Sequence, residues 1–341
     1  MKVAIFNGVS PRFNPGGAER VAESIARELV KKQINVVLIH TDNRILYPMS
    51  FHTSKHYKII YLPWRRGWSL LCLSVGRFIK KMLKEFDILH VHNYSFSSLC
   101  NDKTIFTYHA PNDDYLFKRV LIKDAVMNSA IVTTPSRKIA WDLSRRFGKK
   151  VVTIPNGVDT STFRPLGIAP EERMVLFVGR LTPYKGVETV IRLAEVLPDV
   201  KFTIIGSGPL SGYVGLKAIK LPNLKFIGFV DEPLKVYYYN KAMIALFPSL
   251  VENFPLTGLE AMACGTPVVA SRIGFSEYIK DGYNGVLVDP KNIEEISDKI
   301  TELLTNKEFR DFIRRNALLT AQEFNWSVIT QKYINLYLEI I

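Results

Sequence analysis

Short apolar runs alternate with helical stretches along the whole chain, and the alternation starts twice. Residues 1 to about 157 contain KVAIFN, VVLIH, KIIYL, DILHVHN, TIFTYHA, AIVTTPS and VVTIPNG, each separated from the next by a loop or a helix. From Met174 a second series follows: MVLFVGR, VKFTIIG, NLKFIGF, MIALFP, TPVVAS and NGVLVD. Such runs, interleaved with helical periods such as Val21, Ile25 and Leu29, predict parallel strands joined by crossover helices, hence two doubly wound α/β units. Between the series, TSTFRPLGIAPEER has two prolines, one glycine and no apolar period, which reads as a linker. After Asn292 the chain reads as long helix and ends in WSVITQKYINLYLEII, apolar enough to pack back on other elements. The expected organisation is an N-terminal domain over 1–160, a linker over 161–173, a C-terminal domain over 174–324 and a final helix over 325–341 returning to the N-terminal domain. A cleft is expected where the carboxyl ends of both sheets point.

Composition narrows the class. With 341 residues, 47% hydrophobic and 23% charged, the chain can bury two cores and is too apolar to be disordered. Cys72, Cys100 and Cys264 lie far apart with no CxxC or Cys/His spacing, which points away from a disulfide framework or a zinc site and fits a reducing compartment. The apolar run Val3 to Phe6 reads as a first strand and is too short for a signal h-region, and no run approaches the roughly 20 residues of a membrane span. The expected location is cytoplasmic. Charge is uneven: residues 1–166 hold 26 Lys and Arg against 12 Asp and Glu, whereas the remainder holds 19 against 20. That asymmetry predicts an anionic partner for the N-terminal half: a membrane surface, a phosphorylated acceptor or nucleic acid.

The densest chemistry lies in FPSLVENFPLTGLEAMACGTPVVAS, Phe247 to Ser271. It reads as strand, loop, helix and strand, with Leu256, Leu259 and Met262 at helical spacing. Glu252 in the loop and Glu260 on the helix are separated by seven residues. Pro255 suits a helix start, whose free amides and dipole form a ready anion site. Carboxylates beside such a site suit a sugar nucleotide, with hydroxyls to grip and phosphates to neutralise; an amphipathic helix with two solvated glutamates is the alternative. A glycosidase pair is disfavoured, because eight helical positions rise about 12 Å, beyond the roughly 5 to 9.5 Å such pairs need.

Other segments carry weaker signals. Gly16 and Gly17 in NPGGAER let backbone approach a ligand at a helix start, or simply form a strand-to-helix turn. In VGRLTPYKG, Arg180 and Lys185 follow a buried strand and suit a diphosphate, unless they merely occupy a solvated loop. GSGPLSG invites a dinucleotide reading, but its spacing is GxGxxxG and the nearest acid, Asp231, comes late. Asn156 and Gly157 read as a tight turn. All six histidines precede residue 110; His90 and His92 alternate on one strand, and His109 ends another, where an imidazole can act near neutral pH or serve as a satisfied core residue.

Taken in order, GGAER, TYHAP, IPNGVDTSTFRP, VGRLTPYKG, IIGSGPL and FPSLVENFPLTGLEAMACGTPVVAS resemble the retaining nucleotide-sugar glycosyltransferases of family four. The resemblance covers nearly the whole chain and is weakest over about 44–86 and the C-terminal helices. It implies the α/β GT-B fold, two Rossmann-like doubly wound domains facing a cleft, with acceptor and donor domains in that order and C-terminal helices packing back. It implies transfer of a hexose-type sugar from a nucleoside-diphosphate sugar to a hydroxyl of a glycan or lipid-linked acceptor. Arg180 and Lys185 then correspond to the diphosphate clamp, Glu260 to the ribose ligand and Glu252 to the contact with sugar hydroxyls. Asn253, Phe254, Pro255, Leu256 and Thr257 correspond to the backbone under sugar and phosphates, Gly16 and Gly17 to the glycine loop above them, and His109 to a residue beside the anomeric centre. Gly228, Phe229 and Val230 would border the base. The family uses no dedicated nucleophile here, so the departing phosphate is the implied base; no cofactor and no metal are required. A same-fold epimerase and a basic nucleic-acid or anion-binding module are the alternatives, although RNA-binding aromatic motifs are absent and nucleic acid is not expected. The stretch WRRGWSLLCLSVGRFIKKMLKEF, Trp64 to Phe86, mixes cations with Trp64, Trp68, Phe78 and Leu83, and is expected either to dock peripherally on an anionic membrane face or to pack as a core helix with a solvated basic face.

Overall fold

The computed structural model describes residues 1–9, 17–42, 48–63, 83–92, 94–109 and 116–341. Gly16 and residues 64–82 of the expected membrane-facing segment lie outside this set. The chain divides into two compact units, Met1–Asn156 with Trp326–Ile341, and Gly157–Asn325. Residues 161–173, expected as a linker, belong to the second unit, and the final helix groups with the first.

The first unit contains β1 (Lys2–Val9), α1 (Gly17–Lys31), β2 (Asn35–Asp42), β3 (Met49–Ser54), β4 (Tyr57–Pro63), β5 (Ile88–Val91), β6 (Thr104–Thr107), α2 (Leu116–Asn128), β7 (Ile131–Thr134), α3 (Arg137–Phe147) and β8 (Val151–Thr153). Its eight-stranded sheet runs β3-β4-β2-β1-β5-β6-β7-β8, parallel except for the β3–β4 hairpin. β3 escapes the sequence reading because MSFHTS is exposed at every position, so no buried face marks it; its backbone is held only by the edge of β4. On α1 the period is realised, with Val21, Ile25 and Leu29 all buried. Ser136 caps α3 by accepting from the Ile139 amide, and Gly148, in the left-handed region at φ 64°, ends it. Asn156 and Gly157 form no turn; the backbone there is irregular, and the chain leaves the first unit.

The second unit contains β9 (Met174–Val178), α4 (Val187–Val196), β10 (Lys201–Ile205), α5 (Ser211–Lys220), β11 (Leu224–Gly228), α6 (Glu232–Lys241), β12 (Ile244–Phe247), α7 (Leu256–Ala263), β13 (Val268–Ser271), β14 (Val286–Val288), α8 (Ile293–Thr305) and α9 (Lys307–Glu323). The sheet order is β11-β10-β9-β12-β13-β14, all parallel. Both faces are covered, which explains why its strands are continuously apolar rather than alternating. Val175 and Phe177 join one buried cluster, while Met174, Leu176 and Val178 join the other. Asp231, Asn292 and Asn306 cap α6, α8 and α9 through their side chains. The strand order reverses between β9 and β12, and between β1 and β5 in the first unit; ligands of open α/β sheets bind beyond the carboxyl ends at such points.

The final helix, α10 (Trp326–Ile340), packs on α1 and buries Tyr333 and Tyr337 in the first unit. No helix among the described residues is long and apolar enough to cross a membrane.

Candidate functional site

In the second unit the loop after β9 is held by backbone. Gly179 donates to Ile205 O and Leu181 to Ser207 O, each at 3.0 Å. A Cβ on Gly206 would lie 1.8 Å from the Gly179 carbonyl, and one on Gly208 2.5 Å from that of Leu181. Gly206 and Gly208 of GSGPLSG therefore allow two loops to touch, which is a packing reason and not a dinucleotide one. Asp231, the acid that a dinucleotide reading needs, is a helix cap.

Pro183–Lys185 then forms a short 3-10 turn closed by Gly186 in the left-handed region at φ 74°. A Cβ on Gly186 would sit 1.9 Å from the carbonyl oxygen of Pro248, and Leu250 donates to Tyr184 O at 2.7 Å. The loops after β9 and β12 thus meet across the reversal point. Their meeting places Lys185 Nζ 2.5 Å from Glu252 Oε1, with both side chains largely buried. Arg180, by contrast, is exposed at the end of β9 and its guanidinium has no partner among the described residues. Behind Glu252 lies Gly274 at φ 76°, where a Cβ would come within 2.6 Å of the Glu252 Cβ. Gly274→Ala is expected to unfold at lower temperature than Gly282→Ala, because Gly282 shares the backbone strain at φ 71° but faces open space. Thermal unfolding of the two variants checks this; equal midpoints would mean that the Glu252 loop yields freely.

The helix α7 starts at Leu256, one residue later than expected, with Pro255 as its cap residue and no side-chain cap. Its first-turn amides are thereby left to a ligand or water. Tyr278 fixes this start, donating to the Pro255 carbonyl at 2.7 Å, and Gly258 leaves the room that ring needs, since a Cβ there would meet the Tyr278 hydroxyl at 2.3 Å. Burial, followed by the nearby Glu252 and Glu260 charges, pushes the Tyr278 hydroxyl well above its usual range, so it remains a donor. The Phe254 ring is buried against Tyr278 and Phe324, which leaves its backbone as the part that faces outward chemistry. Asn253, Leu256 and Thr257 are half-buried around it.

Glu260 sits one turn further along α7 and is buried. Both of its oxygens accept from Lys235 Nζ at 2.9 Å, and Oε2 also accepts from the Tyr239 hydroxyl at 3.2 Å. Lys235 and Tyr239 were invisible in the sequence as site residues; their i, i+4 spacing on α6 was the available signal. At the end of β11, Gly228 adopts φ 85° and accepts from the Gly206 amide, Phe229 is 65% exposed, and Val230 is half-buried against the core.

Gly17 and His109 belong to the first unit. Gly17 opens α1. His109 Nε2 hydrogen-bonds His92 Nδ1 at 2.8 Å and the two rings stack. His90, fully buried, bonds Tyr337 OH and Thr107 Oγ1, each at 2.7 Å. Burial lowers the His109 imidazole to about 4 and that of His90 to about 3, the latter helped by the charge of His109.

Two adjoining family descriptions match the chain: Glycosyltransferase Family 4 over residues 15–162 and Glycosyl transferases group 1 over residues 158–319. An uncharacterized glycosyltransferase of Methanocaldococcus jannaschii is 29% identical over 74% of this chain and 75% of its own length. A phosphatidyl-myo-inositol mannosyltransferase of Mycobacterium tuberculosis is 28% identical over 77% of each chain. Among solved structures, sucrose-phosphate synthase of Thermosynechococcus elongatus aligns with a TM-score of 0.82 at 21% identity, covering 100% of this chain and 99% of that one. HepE of Anabaena, solved with UDP-glucose, aligns at 0.79 and 19% identity, covering 99% and 100%. The fold is therefore GT-B, and the enzyme is a glycosyltransferase. The chain belongs to the family-four, group 1 glycosyltransferases.

Proposed function

We propose that this glycosyltransferase is retaining and moves a hexose from a nucleoside-diphosphate sugar to a hydroxyl of a glycan or lipid-linked acceptor. The observation that carries the reading is the convergence of Arg180, Lys185 and the uncapped start of α7 at the β9/β12 reversal point, beside Glu252. Three positive elements at one point suit a diphosphate. Lysine has three N–H groups, so Lys185 can hold Glu252 and still donate to phosphate. In the step, the bond between the sugar C1 and the diphosphate oxygen breaks, and the diphosphate leaves with the electron pair. The acceptor oxygen bonds C1 on the same face and its proton passes to the departing phosphate. Arg180, Lys185 and the helix dipole stabilise the charge that develops, so the reading requires no metal ion. Glu252 grips the sugar and Glu260 the ribose.

Release of nucleoside diphosphate from a panel of sugar nucleotides tests the reaction. Calorimetry tests the roles: Glu260→Gln is expected to weaken free nucleoside diphosphate, whereas Glu252→Gln leaves it nearly untouched and harms the full donor. Equal losses in both variants would reject this division.

For the acceptor, the cationic excess of residues 1–166 and relatives named as phosphatidyl-myo-inositol mannosyltransferases support an anionic, membrane-bound substrate. The full chain should then co-sediment with anionic vesicles at low salt and release at high salt; indifference to such vesicles rules out electrostatic docking.

A further inference from the structure

The pairing of Glu260 is a built feature of three segments. Lys235 and Tyr239 come from one face of α6, Glu260 from α7, and Phe163 from the segment that precedes β9. Lys235 is 8% exposed, its ammonium reaches both Glu260 oxygens at 2.9 Å and lies 4.7 Å from the centre of the Phe163 ring. Phe163 also meets Tyr239 edge-on at 6.3 Å. The cation is therefore enclosed between a carboxylate and an aromatic face, an arrangement that strengthens as water is excluded. Stability alone is a weak reason for it, because buried ion pairs are commonly replaceable by apolar side chains at little cost.

We infer that Lys235 is a positioning residue that fixes Glu260 as an acceptor for a ribose 2′-hydroxyl, and so sets a preference for ribonucleotide over 2′-deoxyribonucleotide donors. This rests on the ribose role of Glu260 proposed above. Lys235 donates to both oxygens of that carboxylate and Tyr239 donates to one. Burial, followed by the Glu260 charge, holds the Tyr239 hydroxyl well above its usual range, so it stays protonated and keeps donating. Any ligand group that joins this set must donate as well. A ribose hydroxyl does; the 2′-deoxy position cannot. The bidentate grip of Lys235 sets the carboxylate plane, and with it the direction in which a third donor is accepted. The segment IPNGVDTSTFRP thereby acquires a task, since Phe163 covers the far side of the ammonium.

Calorimetry on the full chain with UDP and 2′-deoxy-UDP, or the guanine pair if the donor panel selects it, tests the inference. The wild type should prefer the ribonucleotide about 10- to 100-fold, the range of one hydrogen bond to a charged group. Lys235→Met should bring that preference to within about threefold of unity and raise the donor KM more than it lowers kcat, with affinity for inorganic pyrophosphate unchanged. Lys235→Arg, which keeps the charge and the stacking on Phe163, should restore much of it. A folded Lys235→Met that keeps the wild-type preference overturns the inference, as does an equal loss of pyrophosphate affinity, which would make Lys235 a phosphate contact. If Lys235→Met does not fold, Tyr239→Phe decides: a preference reduced by about threefold or more supports the inference and an unchanged one overturns it. Glu260→Gln separates the two claims, since a preference that survives it removes the ribose reading itself.

Discussion

Lys185→Ala is expected to lower turnover about 10- to 100-fold, and Arg180→Ala by a similar factor. A hydrogen bond to a charged group contributes about 1.5 to 3 kcal/mol, and each 1.36 kcal/mol is tenfold in rate. Because charge accumulates on the departing diphosphate, these contacts strengthen in the transition state and appear in kcat rather than in KM alone. The two variants should nonetheless differ. Arg180 has no partner to orphan among the described residues, so its removal acts on the leaving group only. Lys185 holds Glu252, so its removal also releases the sugar-side carboxylate and should raise the KM of the full donor. A double-mutant cycle between Lys185→Ala and Glu252→Gln should then be non-additive, as expected for groups in contact. Folded single variants with wild-type kcat would remove both residues from the reaction.

Acid is expected to unfold the first unit before the second, between pH 6.5 and about 4. The cause is the set of buried imidazoles. Burial lowers His40 and His109 to about 4, His90 to about 3, and His92 well below its usual value, where the charges of His90 and His109 add to the effect. The sign follows from proton counts. Below pH 6.5 the unfolded chain takes up protons at these residues and the folded unit does not, so stability is complete above 6.5 and is lost as pH falls toward the folded values. Each imidazole contributes about 1.4 kcal/mol per unit of pH over that range, and several together rival the 5 to 15 kcal/mol of a whole domain. The second unit has no histidine at all. The measurement is specific, because all four tryptophans, Trp64, Trp68, Trp141 and Trp326, belong to the chain segments of the first unit. Tryptophan fluorescence in urea should show a midpoint that falls steadily from pH 7 to 5, ahead of the far-ultraviolet signal of the whole chain. A constant fluorescence midpoint over that interval would reject the argument.

Local spacing decided much of what could be read beforehand. The run MVLFV is apolar at every position and became β9, buried on both faces; Asn292 before an apolar period became the cap of α8; Leu259 and Met262 turned inward on α7. These are interactions within a few residues, which a linear pattern records. The sequence likewise placed Arg180, Lys185 and Glu252 in strand-end loops and Glu260 on a helix, and supplied the ordered motifs of the family. It did not reveal β3, which has no buried face, nor the reason for Gly206 and Gly208, whose neighbours are the backbone of Gly179 and Leu181.

Pairing was decided only by the tertiary structure. Lys185 meets Glu252 across 67 residues because the sheet sets β9 beside β12. Glu260 meets Lys235 across 25 because α6 and α7 pack together, and His90 meets Tyr337 across 247 because the last helix closes on the first unit. Residue type and local period determine which elements form and which of their faces are apolar. Which charge lies against which depends on strand order and on the few glycines that let loops touch, and neither is written in the spacing along the chain.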